Sequence, residues 1–225
     1  MAKLSKKDLK EPDFFQASVK NIAHYIEGNK TRFYVVLTSA VVTIVIALGI
    51  YLYWSGYQKN AMQIYSQAQT NMLENMEDPA VSEKAVDILK ELIKKYPYSR
   101  SARIAHYHLG NIYYKSGDLD NAIFSYKKYL SSVRSDNAGV KFLTLTSLGY
   151  CYEAKKDFET ALDYFEQAQK SYNVGFESIG YRNIGRIYEA MNDTEKALEN
   201  YRKALEKNSD PSMDIFIQKK IASLS

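Results

Sequence analysis

The hydrophobic pattern divides this chain into one uninterrupted apolar stretch and a longer region of periodic apolar positions. Phe33–Tyr57 contains 25 residues without a charge, bounded by Arg32 and Lys59. Its apolar part, Phe33–Trp54, would form a helix about 33 Å long, enough to cross the hydrocarbon core of a bilayer. Aromatic residues, which membrane proteins place at the headgroups, lie at both ends: Phe33, Tyr34, Tyr51, Tyr53, Trp54 and Tyr57. The pattern predicts a single transmembrane helix over residues 33–57.

Two other interpretations fit this stretch less well. A buried core helix rarely stays apolar on every face over such a length. A cleaved signal peptide has an apolar region of about 7–15 residues followed by small residues. This run instead begins after 32 residues and ends in bulky aromatics. We therefore expect a retained anchor, with the lipid bilayer as the partner of residues 33–57.

The charges on either side of the stretch predict its orientation. Residues 1–32 carry seven basic and four acidic side chains, and after the stretch Lys59 is the only basic residue before Lys84. Because basic segments stay on the cytoplasmic side, residues 1–32 are expected in the cytoplasm. In a bacterium with an outer membrane, the chain would be a single-pass inner-membrane protein with residues 58–225 in the periplasm.

A short amphipathic pattern lies inside the cytoplasmic region, after Pro12. Apolar residues recur there at three- and four-residue steps: Phe14, Phe15, Val19, Ile22, Tyr25 and Ile26. Such a helix would lie flat on the inner face of the membrane or dock onto a cytoplasmic or membrane partner. The pattern leaves both interpretations open.

One pattern then recurs three times after the apolar stretch. Gly110, Gly149 and Gly185 each follow an aliphatic residue, and the spacing between them is 39 and then 36 residues. An aromatic residue follows three positions on, an Asp eight on, an Ala twelve on and an aromatic sixteen on: Tyr113, Asp118, Ala122 and Tyr126; Tyr152, Asp157, Ala161 and Phe165; Tyr188, Asp193, Ala197 and Tyr201. This predicts helix–turn–helix units in which Gly and Ala allow close approach, the aromatics fill the interior and Asp starts the second helix.

The segments LGNIYYKSGDLDNAIFSY, LGYCYEAKKDFETALDYFEQA and IGRIYEAMNDTEKALENYRKA resemble the tetratricopeptide repeat family. The resemblance implies an all-α fold in which helical hairpins stack into an α-solenoid. A weaker first unit pairs Ala61–Met76 with a second helix that ends at Pro97, and Leu73 stands in its glycine position.

A further helix is expected after Asp210-Pro211. Ile215, Phe216, Ile217 and Ile221 would pack on the last hairpin, while Lys219 and Lys220 face water. The predicted fold is thus a single transmembrane helix followed by about four helical hairpins and a capping helix over residues 58–225.

Composition and motifs argue against several functional classes. The net charge is +4, of which the region 1–32 contributes +3, so the repeat region lacks the basic surface that nucleic-acid binding requires. Cys151 is the single cysteine, which excludes an internal disulfide and a cysteine-based zinc site. The chain has no His–Glu–x–x–His motif, phosphate loop or nucleophile elbow. We expect neither an enzyme nor a cofactor.

The family resemblance implies a binding surface instead. First helices of stacked hairpins line the concave side, and the family's groove-facing positions carry over to Ile104, Tyr107 and Asn111, to Leu143, Thr146 and Tyr150, and to Ile179, Arg182 and Arg186. Tyr114, Glu153 and Glu189 lie one turn further along the same helices. The predicted groove comprises nine of these residues: Tyr107, Asn111, Tyr114, Thr146, Tyr150, Glu153, Arg182, Arg186 and Glu189. Tyr and Arg are frequent anchors in protein interfaces, and Asn111, Arg182 and Arg186 would suit a peptide carboxylate. The alternative is that these are ordinary surface residues.

The overall layout is similar to the ancillary subunit family of the bacterial Sec translocon, which couples the translocon to periplasmic chaperones. This resemblance implies a membrane-anchored scaffold that binds a protein partner on the periplasmic side through its concave face. The alternative is a constitutive accessory or assembly subunit of a larger inner-membrane complex, whose tail and anchor pack against other subunits. An envelope hydrolase or transferase is disfavoured because no catalytic constellation is present.

Overall fold

The computed structural model describes residues 14–74, 79–133, 139–171, 175–208 and 210–225. Within these residues the chain forms ten helices and no strand, as the all-α prediction requires. The helices are α1 (Phe14–Gly28), α2 (Lys30–Glu74), α3 (Pro79–Lys95), α4 (Arg100–Lys115), α5 (Leu119–Ser132), α6 (Val140–Ala154), α7 (Phe158–Lys170), α8 (Glu177–Ala190), α9 (Thr194–Glu206) and α10 (Pro211–Leu224). The first 13 residues, which include Pro12 of the amphipathic pattern, lie outside the described part.

The first of two compact units, Met1–Gly56, contains α1 and the apolar part of α2. By length and composition, α2 is the one helix among the described residues that could cross a membrane, and none of its most apolar window is buried by the protein. The hydroxyls of Thr38 and Thr43 donate to carbonyl oxygens one turn back, at Tyr34 and Ser39, both over 2.8 Å. These polar side chains therefore find partners inside their own helix, which is what a lipid environment would require.

The second unit, Tyr57–Ser225, is built from consecutive helical hairpins. Its first core joins the end of α2 with α3 and α4 through small and aliphatic side chains: Ala61, Tyr65, Ala68, Val86, Leu89, Leu92, Ala102, Ala105 and Leu109. The weak first repeat is thus real, but the assignment of Leu73 to its glycine position was wrong. Leu73 is 82% exposed, and Ala61 and Ala68 are the small residues that α2 buries.

Three further hairpins, α4–α5, α6–α7 and α8–α9, follow the glycine pattern. A methyl group added at Gly149 would lie 2.5 Å from the ring of Phe165, and one added at Gly110 would clash with the ring of Tyr126. At Gly185 the nearest atom is 3.1 Å away, on Tyr201. The glycine therefore makes room for the aromatic residue sixteen positions later, which is a more specific role than the close helix approach expected from the sequence.

The turn inside each of these hairpins is closed by a capping aspartate. Carboxylates of Asp118, Asp157 and Asp193 accept from the backbone N–H three residues on, over 3.1, 3.2 and 3.2 Å. Each Asp follows a residue with left-handed backbone: Gly117, Lys156 and Asn192. The predicted helix starts are confirmed, because a side chain at this position satisfies an N–H that the helix itself leaves unpaired.

Helix α10 ends the stack. Ile217 is fully buried against Ala197, Tyr201 and Ala204 of α9, with Ile221 packed beside it. Two other predicted contacts were wrong: Ile215 is 68% exposed and Phe216 is 49% exposed. A helix that covers a neighbour on one side buries only one narrow stripe, and these two residues fall outside it.

Lys220 of α10 does not simply face water, contrary to expectation. Its ammonium donates to Glu189 over 2.7 Å, and Glu189 also accepts from the Tyr201 hydroxyl over 2.7 Å. Burial opposes ionisation of Glu189, but the hydrogen bonds from Lys220 and Tyr201 outweigh it and lower the pKa of the carboxyl. The packing of α10 at the end of the stack is thus stabilised by an ionic contact with Glu189 as well as by apolar contacts with α9.

Candidate functional site

Four of the nine predicted groove residues form one cluster, and they come from three consecutive first helices. We call Tyr114 of α4, Tyr150 and Glu153 of α6 and Arg186 of α8 the inner cluster. Arg186 Nη2 lies 2.7 Å from Glu153 Oε2, and the guanidinium carbon lies 5.2 Å from the centroid of the Tyr150 ring. Burial raises the pKa of the Tyr114 hydroxyl, with smaller effects from Cys151 and Glu153 in the same direction.

The ion pair in this cluster is partly removed from solvent. The Glu153 side chain is 23% exposed and that of Arg186 is 42% exposed. Burial raises the pKa of Glu153, and the neighbouring Arg186 charge offsets part of that effect. Cation–π contact with the Tyr150 ring further stabilises this position of the Arg186 guanidinium.

Unsatisfied polar atoms surround Tyr150. Its hydroxyl donates to Asn183 Oδ1 over 3.2 Å. Within the described residues, Thr146 Oγ1, Asn183 Nδ2 and Arg186 Nε are buried and have no hydrogen-bond partner. Buried polar groups in native proteins are nearly always paired, so these atoms of α6 and α8 are exceptions beside the inner cluster.

Three of the remaining groove candidates, Asn111, Arg182 and Glu189, have partners within the protein. Asn111 accepts from the Tyr126 hydroxyl over 2.7 Å. Arg182 Nη1 lies 3.2 Å from the sulfur of Met213 on α10, and Glu189 holds Lys220 as described above. Together with the Glu153–Arg186 pair, these contacts mean that each member of the expected carboxylate-binding trio already has a partner.

Tyr107 belongs to the hydrophobic core more than to a surface. Its ring lies 6.2 Å from that of Tyr126 and 6.0 Å from that of Tyr129, and it packs against the core around Leu148. Truncating Tyr107 would therefore disturb packing between hairpins, so the residue is unsuitable for testing binding alone.

Asn183 was missed from the sequence, although a signal for it exists. The residue two positions before each repeat glycine is polar in all three units: His108, Ser147 and Asn183. A polar residue inside an otherwise apolar helix face usually needs a specific partner. Asn183 finds Tyr150, and His108 Nε2 lies 2.7 Å from the Tyr65 hydroxyl.

The described residues offer no grouping of three or more His, Cys, Asp or Glu side chains that could hold a metal ion. Cys151 is fully buried, and burial raises the pKa of its thiol to about 12. A thiol in this environment stays protonated and is a poor nucleophile. The inner cluster itself offers aromatic faces, a charged pair and hydrogen-bonding groups.

Three solved structures with similar folds share low sequence identity with this chain. MamA residues 41 to the end, from Desulfovibrio magneticus RS-1, is 18% identical with a TM-score of 0.58, covering 73% of this chain and 82% of that one. Pseudomonas aeruginosa pilF is 19% identical with a TM-score of 0.57, covering 75% and 69%. BtubC from P. vanneervenii is 16% identical with a TM-score of 0.56, covering 76% and 82%. At these identities the likeness concerns the fold alone.

Comparison at the level of sequence families agrees with the fold. No curated protein sequence matches the chain. A family described as a tetratricopeptide repeat-like domain matches residues 31–225, which include every hairpin and the final helix. The glycine–aromatic joints, the aspartate caps and this match together establish that the chain belongs to the tetratricopeptide repeat-like domain family.

Proposed function

We propose that this protein is a membrane-anchored scaffold whose inner cluster binds an extended segment of a partner polypeptide. Its fold is a protein-interaction repeat type, which supports the general role. The observation that carries the proposal is the meeting of Tyr114, Tyr150, Glu153 and Arg186 beside buried polar atoms without partners. Aromatic and arginine side chains in such a setting are typical anchors of protein interfaces.

The chemistry of the cluster favours a neutral peptide backbone over a carboxylate. Glu153 already compensates the charge of Arg186 at 2.7 Å, so a second carboxylate would meet a net neutral site. The Arg186 side chain, which is 42% exposed, carries N–H donors that suit peptide carbonyl oxygens. The exposed part of the Tyr114 ring, on a residue 38% exposed, offers a platform for an apolar side chain of the partner.

The proposal is tested by photo-crosslinking of the full chain in its native membrane. A photoreactive phenylalanine analogue at position 114 is expected to form adducts with a polypeptide, whereas the same analogue at Phe124, which is 58% exposed on α5, is not. The double variant Glu153→Gln/Arg186→Gln removes both charges together and is expected to reduce the adducts at 114 at least fivefold.

A matched control separates the cluster from charge removal in general. The variant Glu199→Gln/Lys203→Gln removes an exposed pair of similar length, 2.6 Å, on α9, and should leave the adducts unchanged. Undiminished crosslinking in the Glu153/Arg186 variant, with unaltered melting of both variants, would rule out the inner cluster as the binding site. Recovery of the protein in fixed stoichiometry with membrane subunits, independent of position 114, would favour the accessory-subunit alternative.

We further propose that residues 33–57 cross the bacterial inner membrane, with residues 1–32 in the cytoplasm and the repeats in the periplasm. Support comes from the uncharged length of the span and from the excess of basic residues before it. In this position the scaffold would act near the Sec translocon with its chaperones, as the similarity in layout implies.

Orientation is tested with the single thiol. Cys151 is fully buried, so a membrane-impermeant thiol reagent is applied after the outer membrane is permeabilised and the repeats are denatured. Labelling is expected without opening the inner membrane. The exposed variant Lys156→Cys in a Cys151→Ser background provides a control that needs no denaturation. Labelling that appears only after the inner membrane is broken would reverse the orientation.

A further inference from the structure

The turn between α3 and α4 is tied to the residues that directly follow the apolar stretch. The backbone N–H of Tyr98 donates to the Tyr57 hydroxyl over 3.2 Å, and that of Arg100 donates to Gln58 Oε1 over 3.0 Å. The Tyr57 ring meets the Tyr96 ring edge-on, with centroids 5.0 Å apart at 74°. Two hydrogen bonds and a ring contact thus fix this turn to one short segment of α2.

The position of that segment follows from covalent connection alone. Tyr57 is the last residue of the proposed span and Gln58 is the next one. Any backbone atom hydrogen-bonded to their side chains must lie within one side-chain length plus one hydrogen bond of the end of the span. The polar headgroup region begins at that level and is several ångströms deep on each side of the hydrocarbon.

The turn presents side chains that suit this environment. Tyr98 is 77% exposed, more than most large hydrophobic residues of the repeat unit. Arg100 is exposed at the start of α4, and Lys94 is exposed near the end of α3. Tyrosine rings settle at membrane–water interfaces, and cations nearby are attracted to anionic headgroups.

We infer that the turn around Tyr98 is a second membrane contact of the protein, with lipid headgroups as its ligand. The inference rests on the proposed anchor and goes beyond it. A single span leaves a domain free to tilt and rotate about its point of attachment. A tyrosine held in the headgroups by a turn that is bonded to Tyr57 and Gln58 restricts that freedom and fixes which side of the first hairpin faces the bilayer.

The test uses tryptophan quenching in the full chain, because Trp54 is the single tryptophan. The variant Trp54→Phe/Tyr98→Trp is reconstituted in vesicles of phosphatidylethanolamine and phosphatidylglycerol that contain a headgroup spin label. The control variant is Trp54→Phe/Phe216→Trp, which places the probe on α10, a helix that packs against α9 at the far end of the hairpin series. Quenching at 98 is expected to exceed quenching at 216 at least threefold.

Two outcomes distinguish failure of the second membrane contact from failure of the anchor. Quenching at 98 that is no greater than at 216 would refute the second membrane contact. The parent chain, in which Trp54 reports on the span itself, separates this from failure of the anchor. An unquenched Trp54 in vesicles carrying acyl-chain quenchers would refute the anchor, whereas a quenched Trp54 with an unquenched probe at 98 refutes the turn alone.

Discussion

Replacing Phe165 by alanine is expected to lower the free energy of unfolding by about 3–5 kcal/mol, the usual cost of removing a buried aromatic side chain. Phe165 is 1% exposed, and its ring lies 5.3 Å from that of Tyr150, edge-on. It also shares a core with Ile184 and Ile187 of α8. One side chain therefore joins the third hairpin to the fourth, so its loss removes an interface between repeats as well as local packing.

Urea unfolding of the full chain in detergent micelles, followed by helicity, measures this loss. The matched control is Phe124→Ala, because Phe124 is 58% exposed on α5 and the substitution should change stability by no more than about 0.5 kcal/mol. Equal losses for the two variants would contradict the role given to Phe165. A second, lower transition in the Phe165 variant would indicate that the hairpins on either side unfold separately.

The second expected result concerns the glycine that faces this ring. Gly149→Ala should lower the free energy of unfolding by about 1–3 kcal/mol, the typical penalty for overpacking a filled core. The added methyl group would lie 2.5–2.7 Å from three ring atoms of Phe165, and neither the helix nor the buried ring can move away freely. The general preference of helices for alanine over glycine, about 1 kcal/mol, acts in the opposite direction and does not offset the steric penalty in full.

Two controls make this prediction specific. Gly56→Ala introduces the same change in α2, where nothing lies within 4 Å of the added methyl group, and should be neutral or slightly stabilising. Combining Gly149→Ala with Phe165→Leu should cost less than the sum of the two single losses, because the smaller side chain makes room for the methyl group. Additive losses would show that the contact between positions 149 and 165 is not the cause.

Side-chain contacts inside one hairpin could be predicted because they join residues that are close together in the sequence. The glycine, the alanine twelve residues later and the aromatic sixteen residues later face each other across one turn, so their spacing alone indicates the contact. The same holds for Asp118, Asp157 and Asp193, whose capping bonds span three residues. The fold class and the order of the hairpins follow from the repetition of these short-range contacts.

The candidate site could be predicted only in outline. The repeat positions place Tyr150, Glu153 and Arg186 on first helices, but they do not say that Arg186 reaches across 33 residues to Glu153. That contact neutralises the charge on which the expected carboxylate site depended. Tyr107 occupies the same repeat position as Thr146 and Arg182, and it packs against the core around Leu148. The angle between neighbouring hairpins determines whether such a side chain pairs across hairpins or packs into the core. No local sequence pattern specifies that angle.

The sequence by itself determined the uncharged segment that is long enough to span a membrane, the repeating hairpins and the helix starts. Each of these depends on residues that are close together along the chain. Tertiary structure alone decided which groove residues meet, which face of α10 is buried and that the Tyr98 turn is tied to Tyr57. These contacts join residues some 30 to 40 positions apart. Their formation depends on how the hairpins pack side by side. Small differences in side-chain size and direction then determine whether a residue is buried, paired or exposed.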